Sequence, residues 1–187
     1  MVCLASPAES QVRTFYVSIS GNNANPGSNV APWRTLQRAA NKVLAGDLVI
    51  GRPGNYTGFQ LTTDGSAANP IEFRADAGVV INVPETVRNQ HGINLEGADS
   101  TVVQGFTVTG MRRAGILAVV NHHVTIRGNL LDANVYWGVL TGFSDDVLIE
   151  DNETSRSQVE HGIYVSNSGD RPITRSGTID RISGLYR

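Results

Sequence analysis

Short apolar stretches separated by glycine and asparagine recur along the middle of the chain. One kind of stretch begins with glycine and returns every 23 or 24 residues, at Gly92, Gly115, Gly138 and Gly162. A second kind, rich in valine, isoleucine and threonine, follows at a constant distance, at 101–103, 124–126 and 147–149. Several short strand signals per repeat, with no helical period between them, are typical of a solenoid.

Leucine-rich repeats and parallel β-helices both have repeats of about this length. The regular leucines of the first type are missing, whereas strands of valine, isoleucine and threonine bounded by glycine, asparagine and aspartate turns are present. We therefore predict an all-β, single-stranded parallel β-helix of five to six coils. Each coil should hydrogen-bond to the next and contribute inward side chains to one core.

The N-terminal region breaks this pattern after a first strand and a polar loop. Leu36, Ala39, Ala40, Val43 and Leu44 fall on one face of a helix, and Gly46 follows as its end signal. We predict that this amphipathic helix caps the first coil, because an uncovered coil would expose its core and its strand edges.

The chain is expected to contain a tail and a single domain. Residues 1–13 are a tail or the remnant of a secretory signal, because Met1–Ala8 resembles the end of such a signal. Residues 14–187 form one β-helix domain, with the cap at 14–47, the coils at 48–177 and an end segment at 178–187. We expect this segment to fold over the last coil, or two chains to meet there as a homodimer, since a bare coil exposes apolar side chains.

Composition excludes several classes of function. The formal net charge of −2 gives no long-range attraction to nucleic acid. No apolar run reaches the ~18 residues of a membrane span. Cys3 is the only cysteine, so an internal disulfide is excluded. The signal-like start favours a secreted or cell-surface protein, whereas cysteine usage does not fix the redox compartment.

Stacked coils make residues one repeat apart into neighbours on one surface. The turn before the repeating glycines then collects these side chains: His91, Arg112, Arg113, Tyr136, Trp137, Glu160 and His161. Ring faces cover sugars and arginine pairs with carboxylates bidentately, so this surface suits an acidic polysaccharide.

We assign candidate roles within that surface. His161 and Glu160 are candidate acid and base, and Arg112 and Arg113 are candidates for neutralising a substrate carboxylate during β-elimination. Trp137, Tyr136 and His91 are the candidate substrate-binding residues. The alternative is that the rings only cover a turn and the arginines are solvated.

A second column lies in the turn before the inward strands. It contains Asp99, His122, Asp145 and Asp170, with Asp146 and His123 beside them. Asp145, Asp146, Asp99 and Asp170 are candidate Ca²⁺ ligands through their oxygens, and the histidines would suit another divalent ion. Aspartate also suits turns because it bonds its own backbone, and that alternative stays open. We expect no other cofactor.

Asn129 and Asn152 also lie one repeat apart, at a turn between strands. We predict that their amides bond from coil to coil as a purely structural ladder.

The N-terminal region resembles a known family. The runs Tyr16–Asn22, Asn25–Gly27, Pro32–Ala39 and Gly46–Val49 are similar to the N-terminal cap of bacterial right-handed β-helix proteins of the pectate-lyase-like superfamily. The family-nine polysaccharide lyases carry such a cap, and His161–Asn167 looks like a coil motif common in the superfamily. The resemblance implies right-handed winding and a carbohydrate-active protein.

The chain also departs from that family. The family-nine lyases hold Ca²⁺ with several aspartates on neighbouring coils and use a coil lysine as base. Here the only lysine, Lys42, lies in the predicted cap helix, and no coil shows the matching aspartates. The chain is shorter than typical members, as a fragment would be.

Two hypotheses therefore remain open. The first is a polysaccharide lyase-like enzyme acting on acidic polysaccharide. The second is a non-catalytic carbohydrate-binding or surface module, or an inactive fragment. An ice-binding solenoid ranks below both, because regular outward threonine columns are missing.

Overall fold

The computed structural model describes residues 12–86, 88–166, 173–175 and 182–186. In these residues the chain winds as a right-handed parallel β-solenoid of about five turns with almost no helix. The predicted fold class is confirmed.

The strands are short and follow one another around each turn. In chain order they are β1 (Thr14–Val17), β2 (Leu48–Gly51), β3 (Gly54–Thr57), β4 (Phe59–Gln60), β5 (Ile71–Ala75), β6 (Val79–Val83), β7 (Ile93–Asn94), β8 (Thr101–Gln104), β9 (Thr107–Thr109), β10 (Ala114–Val119), β11 (Thr125–Arg127), β12 (Leu130–Asp132), β13 (Trp137–Gly142), β14 (Leu148–Glu150), β15 (Glu153–Ser155), β16 (Ile163–Ser166), β17 (Ile173–Arg175) and β18 (Ile182–Tyr186). The helix α1 (Leu36–Ala40) lies between β1 and β2.

Three parallel sheets run along the solenoid. Sheet A has the order β1-β2-β5-β8-β11-β14-β17, sheet B the order β15-β12-β9-β6-β3, and sheet C the order β18-β16-β13-β10-β7-β4. Ile126, for example, pairs with Val103 in the coil before and with Ile149 in the coil after. Residues one repeat apart are therefore vertical neighbours, as the predicted surface columns require.

Alternate residues of each strand point into one continuous apolar core. In sheet C the inward column is Phe59, Ile93, Ile116, Val139 and Ile163, and none of these is more than 4% exposed. Full burial of each such side chain contributes about 1.5–3 kcal/mol, so the stacked columns supply much of the driving force for folding.

The repeating glycines mark close approaches between coils. A Cβ built on Gly92 would lie 2.7 Å from the carbonyl oxygen of Gly115. The same atom on Gly115 would lie 2.8 Å from the oxygen of Gly138, and on Gly138 it would lie 2.5 Å from that of Gly162. Any side chain at these positions would push the coils apart, which explains the glycine repeat in the sequence.

Buried asparagines join the coils at the turns. The Phe106 N–H donates to Asn129 Oδ1 at 3.0 Å, and Asn129 Nδ2 donates to Asn152 Oδ1 at 2.9 Å. Asn152 Nδ2 donates in turn to the Ile126 carbonyl at 2.8 Å. The predicted structural ladder is confirmed. Asn134, which sequence analysis did not identify, makes the equivalent contact at another turn, where it accepts the N–H of the residue one repeat earlier.

The N-terminal cap differs from the prediction. Within the described residues the chain has one helix, α1, of five residues, and Thr35 caps its start. Leu44, which was expected on the buried helix face, is 58% exposed. The longer capping helix is therefore not confirmed. Instead, the Gln37 side chain pairs with the edge strand β4: Gln37 Oε1 accepts the Gln60 N–H at 2.8 Å, and Gln37 Nε2 donates to the Gln60 carbonyl at 3.0 Å.

Asp47 holds the chain that follows the helix. The buried carboxylate of Asp47 accepts the Leu44 N–H at 2.6 Å, so this N–H has its partner outside the helix. Arg13 holds the same carboxylate through Nε and Nη2, at 2.7 and 2.5 Å. Arg13, the last residue of the predicted N-terminal tail, thus contacts the cap.

The far end of the solenoid is described only in part. β17 extends sheet A beside β14, and β18 extends sheet C beside β16. Residues 178–181 and 187 of the predicted end segment lie outside the described residues, so its covering of the last coil and the homodimer stay predictions. No helix among the described residues is long and apolar enough to cross a membrane.

Candidate functional site

The turn before the strands of sheet C brings the predicted surface residues together. The Arg113 carbonyl accepts the Tyr136 N–H at 3.2 Å and the Trp137 N–H at 3.3 Å. In the next coil the His161 carbonyl accepts the Gly138 N–H at 3.4 Å. We define the aromatic patch as Arg112, Arg113, Tyr136, Trp137, Glu160, His161 and Tyr164.

Rings of the aromatic patch touch in a continuous series. The Tyr136 and Trp137 ring centroids lie 5.3 Å apart, and those of Trp137 and Tyr164 lie 6.2 Å apart with planes inclined by 25°. The His161 ring lies 5.9 Å from that of Tyr164. Tyr136 is exposed, and the other rings are half-buried. The series therefore presents a partly hydrated ring surface that spans two coils.

Tyr164 was missed by the sequence analysis, which considered only the turn before each strand. Tyr164 lies within β16 and is the register partner of Leu140 in β13. Its neighbour Ile163 points into the core, so Tyr164 must face outward. The strict alternation of strand residues was the signal that would have identified it.

Charged groups lie at the two ends of the aromatic patch. Arg112 and Arg113 are exposed on one coil. Two coils further on, His161 Nε2 and Glu160 Oε2 are 3.7 Å apart. With a spacing of about 4.8 Å between coils, the cations and the acid–base pair are separated by about 10 Å along the axis. The rings lie between them, so a ligand would meet cations, rings and an acid–base pair in sequence.

His91 lies beneath the aromatic patch. It is 3% exposed, and its Nδ1 accepts the Ala114 N–H at 3.2 Å. Burial and the nearby charge of Arg113 lower the pKa of His91 to about 4. The imidazole is therefore neutral at neutral pH, and its bond to Ala114 indicates a role in holding the turn. The predicted contact of His91 with substrate stays a prediction.

The outer face of sheet C continues the surface beside the patch. Asn94, Leu117, Leu140 and Tyr164 are register partners on the face opposite the inward column. Asn94 is 1% exposed and Leu117 is 7% exposed, although both face outward. Among the described residues nothing hydrogen-bonds to Asn94 Nδ2. A buried donor without a partner costs about 1–3 kcal/mol, so Asn94 Nδ2 lowers the stability of this part of sheet C.

The aspartate column stacks as expected. His122 forms a parallel bridge with Asp145, and its N–H donates to Asp99 Oδ1 at 2.7 Å. His122 Nδ1 lies 3.4 Å from Asp145 Oδ2, and the neighbouring pair of His123 and Asp146 has the same separation. Each carboxylate thus meets a histidine or a backbone N–H one repeat away, and the alternative in which aspartate bonds its own backbone stays open.

In the part of the chain that is described, the predicted metal site has no converging set of ligands. Within residues 12–86 and 88–166, no three side chains of His, Cys, Asp or Glu are grouped closely enough to hold a metal ion. Asp170, the fourth predicted ligand, lies outside the described residues. Ca²⁺ binding by Asp99, Asp145 and Asp146 stays a prediction.

Comparison with known families and proteins gives two sequence matches. A family model described as periplasmic copper-binding protein (NosD) matches residues 62–186. An uncharacterized protein of Bacillus subtilis (strain 168), YwoF, is 27% identical over 144 residues, which are 74% of this chain and 28% of that protein. The chain therefore spans less than a third of the length of this relative.

Solved structures with the same architecture are carbohydrate-degrading enzymes by name. The pectate lyase Pel9A matches with a TM-score of 0.71 and 21% identity, over 90% of this chain and 46% of that one. The GH136 lacto-N-biosidase from Eubacterium ramulus matches with a TM-score of 0.67 and 16% identity, over 83% and 36%. The alginate lyase from Paenibacillus sp. str. FPU-7 matches with a TM-score of 0.65 and 20% identity, over 89% and 58%. At such identities the likeness shows the fold.

Proposed function

The chain belongs to the NosD family of right-handed β-helix proteins. We propose that it is a carbohydrate-active protein that binds acidic polysaccharide at the aromatic patch. The solved structures of similar fold are named pectate lyase, lacto-N-biosidase and alginate lyase. These names support the carbohydrate part of the proposal. The family description as periplasmic and the signal-like Met1–Ala8 support export to the periplasm, the medium or the cell surface.

One observation carries the proposal: the contact series of Tyr136, Trp137 and Tyr164 beside two exposed arginines. Half-buried rings offer flat apolar faces to the C–H face of a sugar. Arg112 and Arg113 offer guanidinium forks of the shape that a carboxylate accepts bidentately. Together they select a polymer that has both pyranose faces and carboxylates, which is a uronate-containing polysaccharide.

The catalytic form of the proposal is β-elimination. A base, His161 or Glu160, removes the proton next to a uronate carboxylate, while Arg112 and Arg113, about 10 Å away along the axis, pair with the carboxylate of another sugar unit and hold the polymer in place. The electron pair forms a carbon–carbon double bond and expels the glycosidic oxygen from the neighbouring carbon. A proton then joins that oxygen, so the products are a new chain end and an unsaturated sugar.

The non-catalytic form has its own support. The only lysine, Lys42, follows α1 in the cap, far in sequence from the aromatic patch. The residues described for the coils contain no converging set of acidic side chains that would hold Ca²⁺ against a substrate. A module that binds the polymer without cleaving it needs neither group.

The family description names copper, but the described residues do not fit a copper site. The rings of His122 and His123 each lie near a single carboxylate, Met111 is buried in the core, and His91 accepts a backbone N–H. No three-ligand cluster of His, Cys, Asp or Glu forms within the described ranges. We derive no step through copper.

The test combines turnover and binding on the same substrates. The protein is incubated with pectate, alginate and glycosaminoglycans, with and without Ca²⁺, and the ultraviolet absorbance of unsaturated products is followed. Binding to the same polymers is measured by calorimetry for the wild type and for Trp137→Ala. We expect Trp137→Ala to lose at least tenfold in affinity, since ring stacking is a central contact of the proposed site.

Tyr16→Ala is the matched control, because Tyr16 is an aromatic residue on β1, at the other end of the solenoid. It should bind like the wild type. Turnover by the wild type selects the lyase, whereas binding without turnover that is lost in Trp137→Ala selects the module. If the wild type binds none of the polymers, the proposed function is wrong.

A further inference from the structure

A second concave surface lies on another side of the solenoid, at the corner between sheets A and B. It is a groove of about 290 Å³, at the low end of the ~300–1,000 Å³ typical of small-molecule sites. Its lining residues are Arg74, Ala75, Gln104, Gly105, Arg127, Gly128 and Asp151. We define these residues as the corner groove, which shares no residue with the aromatic patch.

Hydrogen bonds hold the polar side chains of the corner groove in place. Arg127 Nε donates to Gln104 Oε1 at 2.6 Å, and Gln104 Nε2 donates to Glu72 Oε1 at 2.6 Å. Arg74 Nη1 lies 3.8 Å from the same Glu72 oxygen. Because Arg127, Gln104 and Arg74 are register neighbours on three successive coils, this ladder crosses the whole groove.

Within the described coils, the ladder leaves Arg127 without a direct ion pair, although Glu150 is its register partner on the next coil. Its Nε bonds to a neutral amide, and among the described residues no carboxylate lies within ion-pair distance of its guanidinium. The two Nη groups of an arginine anchored through Nε are free to form a bidentate pair with an incoming carboxylate. Asp151, exposed at the other edge of the groove, offers acceptor oxygens for ligand hydroxyls.

Left-handed turns line the corner groove: Gly128 faces open space, whereas a Cβ built on Gly105 would lie 2.7 Å from the Ala75 carbonyl oxygen. Gly105, Gly128 and Asp151 occupy the same position in three successive coils, with φ of 79°, 60° and 52°. A Cβ built on Gly128 would meet no atom within 4 Å, so the space above this residue is empty. A ring of one or two sugar units is the size of ligand that such a shallow space admits.

We propose that the corner groove is a second saccharide site, which binds a uronate through Arg127 and hydrogen-bonds its hydroxyls through Gln104 and Asp151. This site is argued from its own residues and does not depend on the aromatic patch. Two sites on different sides of one rigid solenoid would let the protein hold one polymer twice, or two polymers at once, which raises avidity without new contacts.

The test is a nuclear magnetic resonance titration with D-galacturonate and D-glucuronate. The Gln104 side-chain amide and the Arg127 Nε–H lie inside the corner groove and report binding there directly. We expect saturable shifts of both resonances in the wild type, and at least tenfold weaker binding in Arg127→Gln. Arg34→Gln, which makes the same charge change in the cap, should leave these shifts unchanged.

A steric variant keeps the test independent of charge. Gly128→Asn fills the groove with a residue that tolerates the left-handed backbone, in imitation of Asp151 one coil further on. It should abolish the shifts while its circular dichroism matches the wild type. Trp137→Ala should keep the shifts whether or not it loses affinity for polymer at the aromatic patch. A wrong proposal for one site is therefore distinguishable from a wrong proposal for the other.

Three results would overturn the corner-groove proposal. The first is the lack of saturable shifts with either uronate, and the second is equal affinity in Arg127→Gln. The third is acetate binding as tightly as the uronates, because the groove would then recognise a carboxylate and no sugar.

Discussion

At the scale of single residues, His91 couples protonation to folding. Burial and the charge of Arg113 lower the pKa of His91 from 6.5 to about 4. Between these values the unfolded chain binds a proton that the folded chain does not. The free energy of unfolding should therefore fall as the pH drops through this window. The effect is at most about 3.5 kcal/mol, since the two pKa values differ by about 2.5 and one pKa unit corresponds to about 1.4 kcal/mol.

The variant His91→Gln tests this coupling. Glutamine keeps an acceptor for the Ala114 N–H but has no titratable proton, so the variant should lose less stability on acidification than the wild type. Urea unfolding at about pH 7.5 and about pH 4.5 measures the difference. His123→Gln makes the same change at an exposed histidine and should retain the wild-type pH dependence. Parallel curves for His91→Gln and the wild type would contradict the argument.

Residue-scale prediction from sequence worked where the repeat alone decides position. Arg113, Tyr136 and Trp137 were placed together by counting in steps of one repeat, and the structure brings them together. The burial of each side chain was not predictable in this way. His91 occupies the same turn position as Trp137 two coils later, yet it is 3% exposed, because neighbouring side chains rather than the repeat determine burial.

At the scale of elements, the asparagine turns hold the coils in register. Asn129 accepts the buried Phe106 N–H and donates to Val103 and Asn152. Asn129→Ala would leave the Phe106 N–H without a partner, and each such buried group costs about 1–3 kcal/mol. We expect a loss of about 2–4 kcal/mol in the free energy of unfolding, measured by chemical denaturation.

Asn29→Ala is the matched control for this prediction. It makes the same chemical change at an exposed asparagine that contacts Arg52 on the surface. Surface substitutions of this kind usually change stability by less than about 0.5 kcal/mol. Similar losses in the two variants would show that the turn ladder does not stabilise the stack.

The helix shows what local patterns fail to predict at this scale. The spacing of Leu36, Ala39, Ala40 and Val43 is helical, and all four residues are buried, but α1 ends at Ala40. The carboxylate of Asp47 competes with the helix for hydrogen bonds, because it bonds to the Leu44 N–H and to Arg13. A contact between residues 34 positions apart cannot be read from a local period, whereas the strands follow from local alternation and the repeat.

At the scale of the whole molecule, a solenoid is predictable because its contacts repeat. A single interval of 23 or 24 residues gave the pairing of all the middle coils, from β7 to β16. The cap and the corner groove depend on contacts that occur once, such as Arg127 with Gln104 and Gln37 with Gln60. The repeat in the sequence does not predict such contacts. Function at such places has to be found in the folded arrangement of side chains.

The glycine column tests whether the stack behaves as one body. In Gly115→Ala the new Cβ would lie 2.8 Å from the Gly138 oxygen and 2.9 Å from Asn134 Nδ2, so the two coils must separate. Overpacking of this kind costs about 1–3 kcal/mol. Because each coil bonds to both neighbours, the strain also loosens the pairing of β10 with β7 and β13. We expect a lower denaturation midpoint with an unchanged slope.

Gly51→Ala separates this steric effect from the ordinary effect of alanine on the unfolded chain. The Cβ built on Gly51 lies 3.6 Å from Val79, an ordinary contact, so this substitution should be neutral or stabilise by up to about 1 kcal/mol. A Gly115→Ala variant as stable as Gly51→Ala would mean that neighbouring coils yield independently of each other. The close approach of carbonyl and glycine would then not explain why glycine returns at every turn.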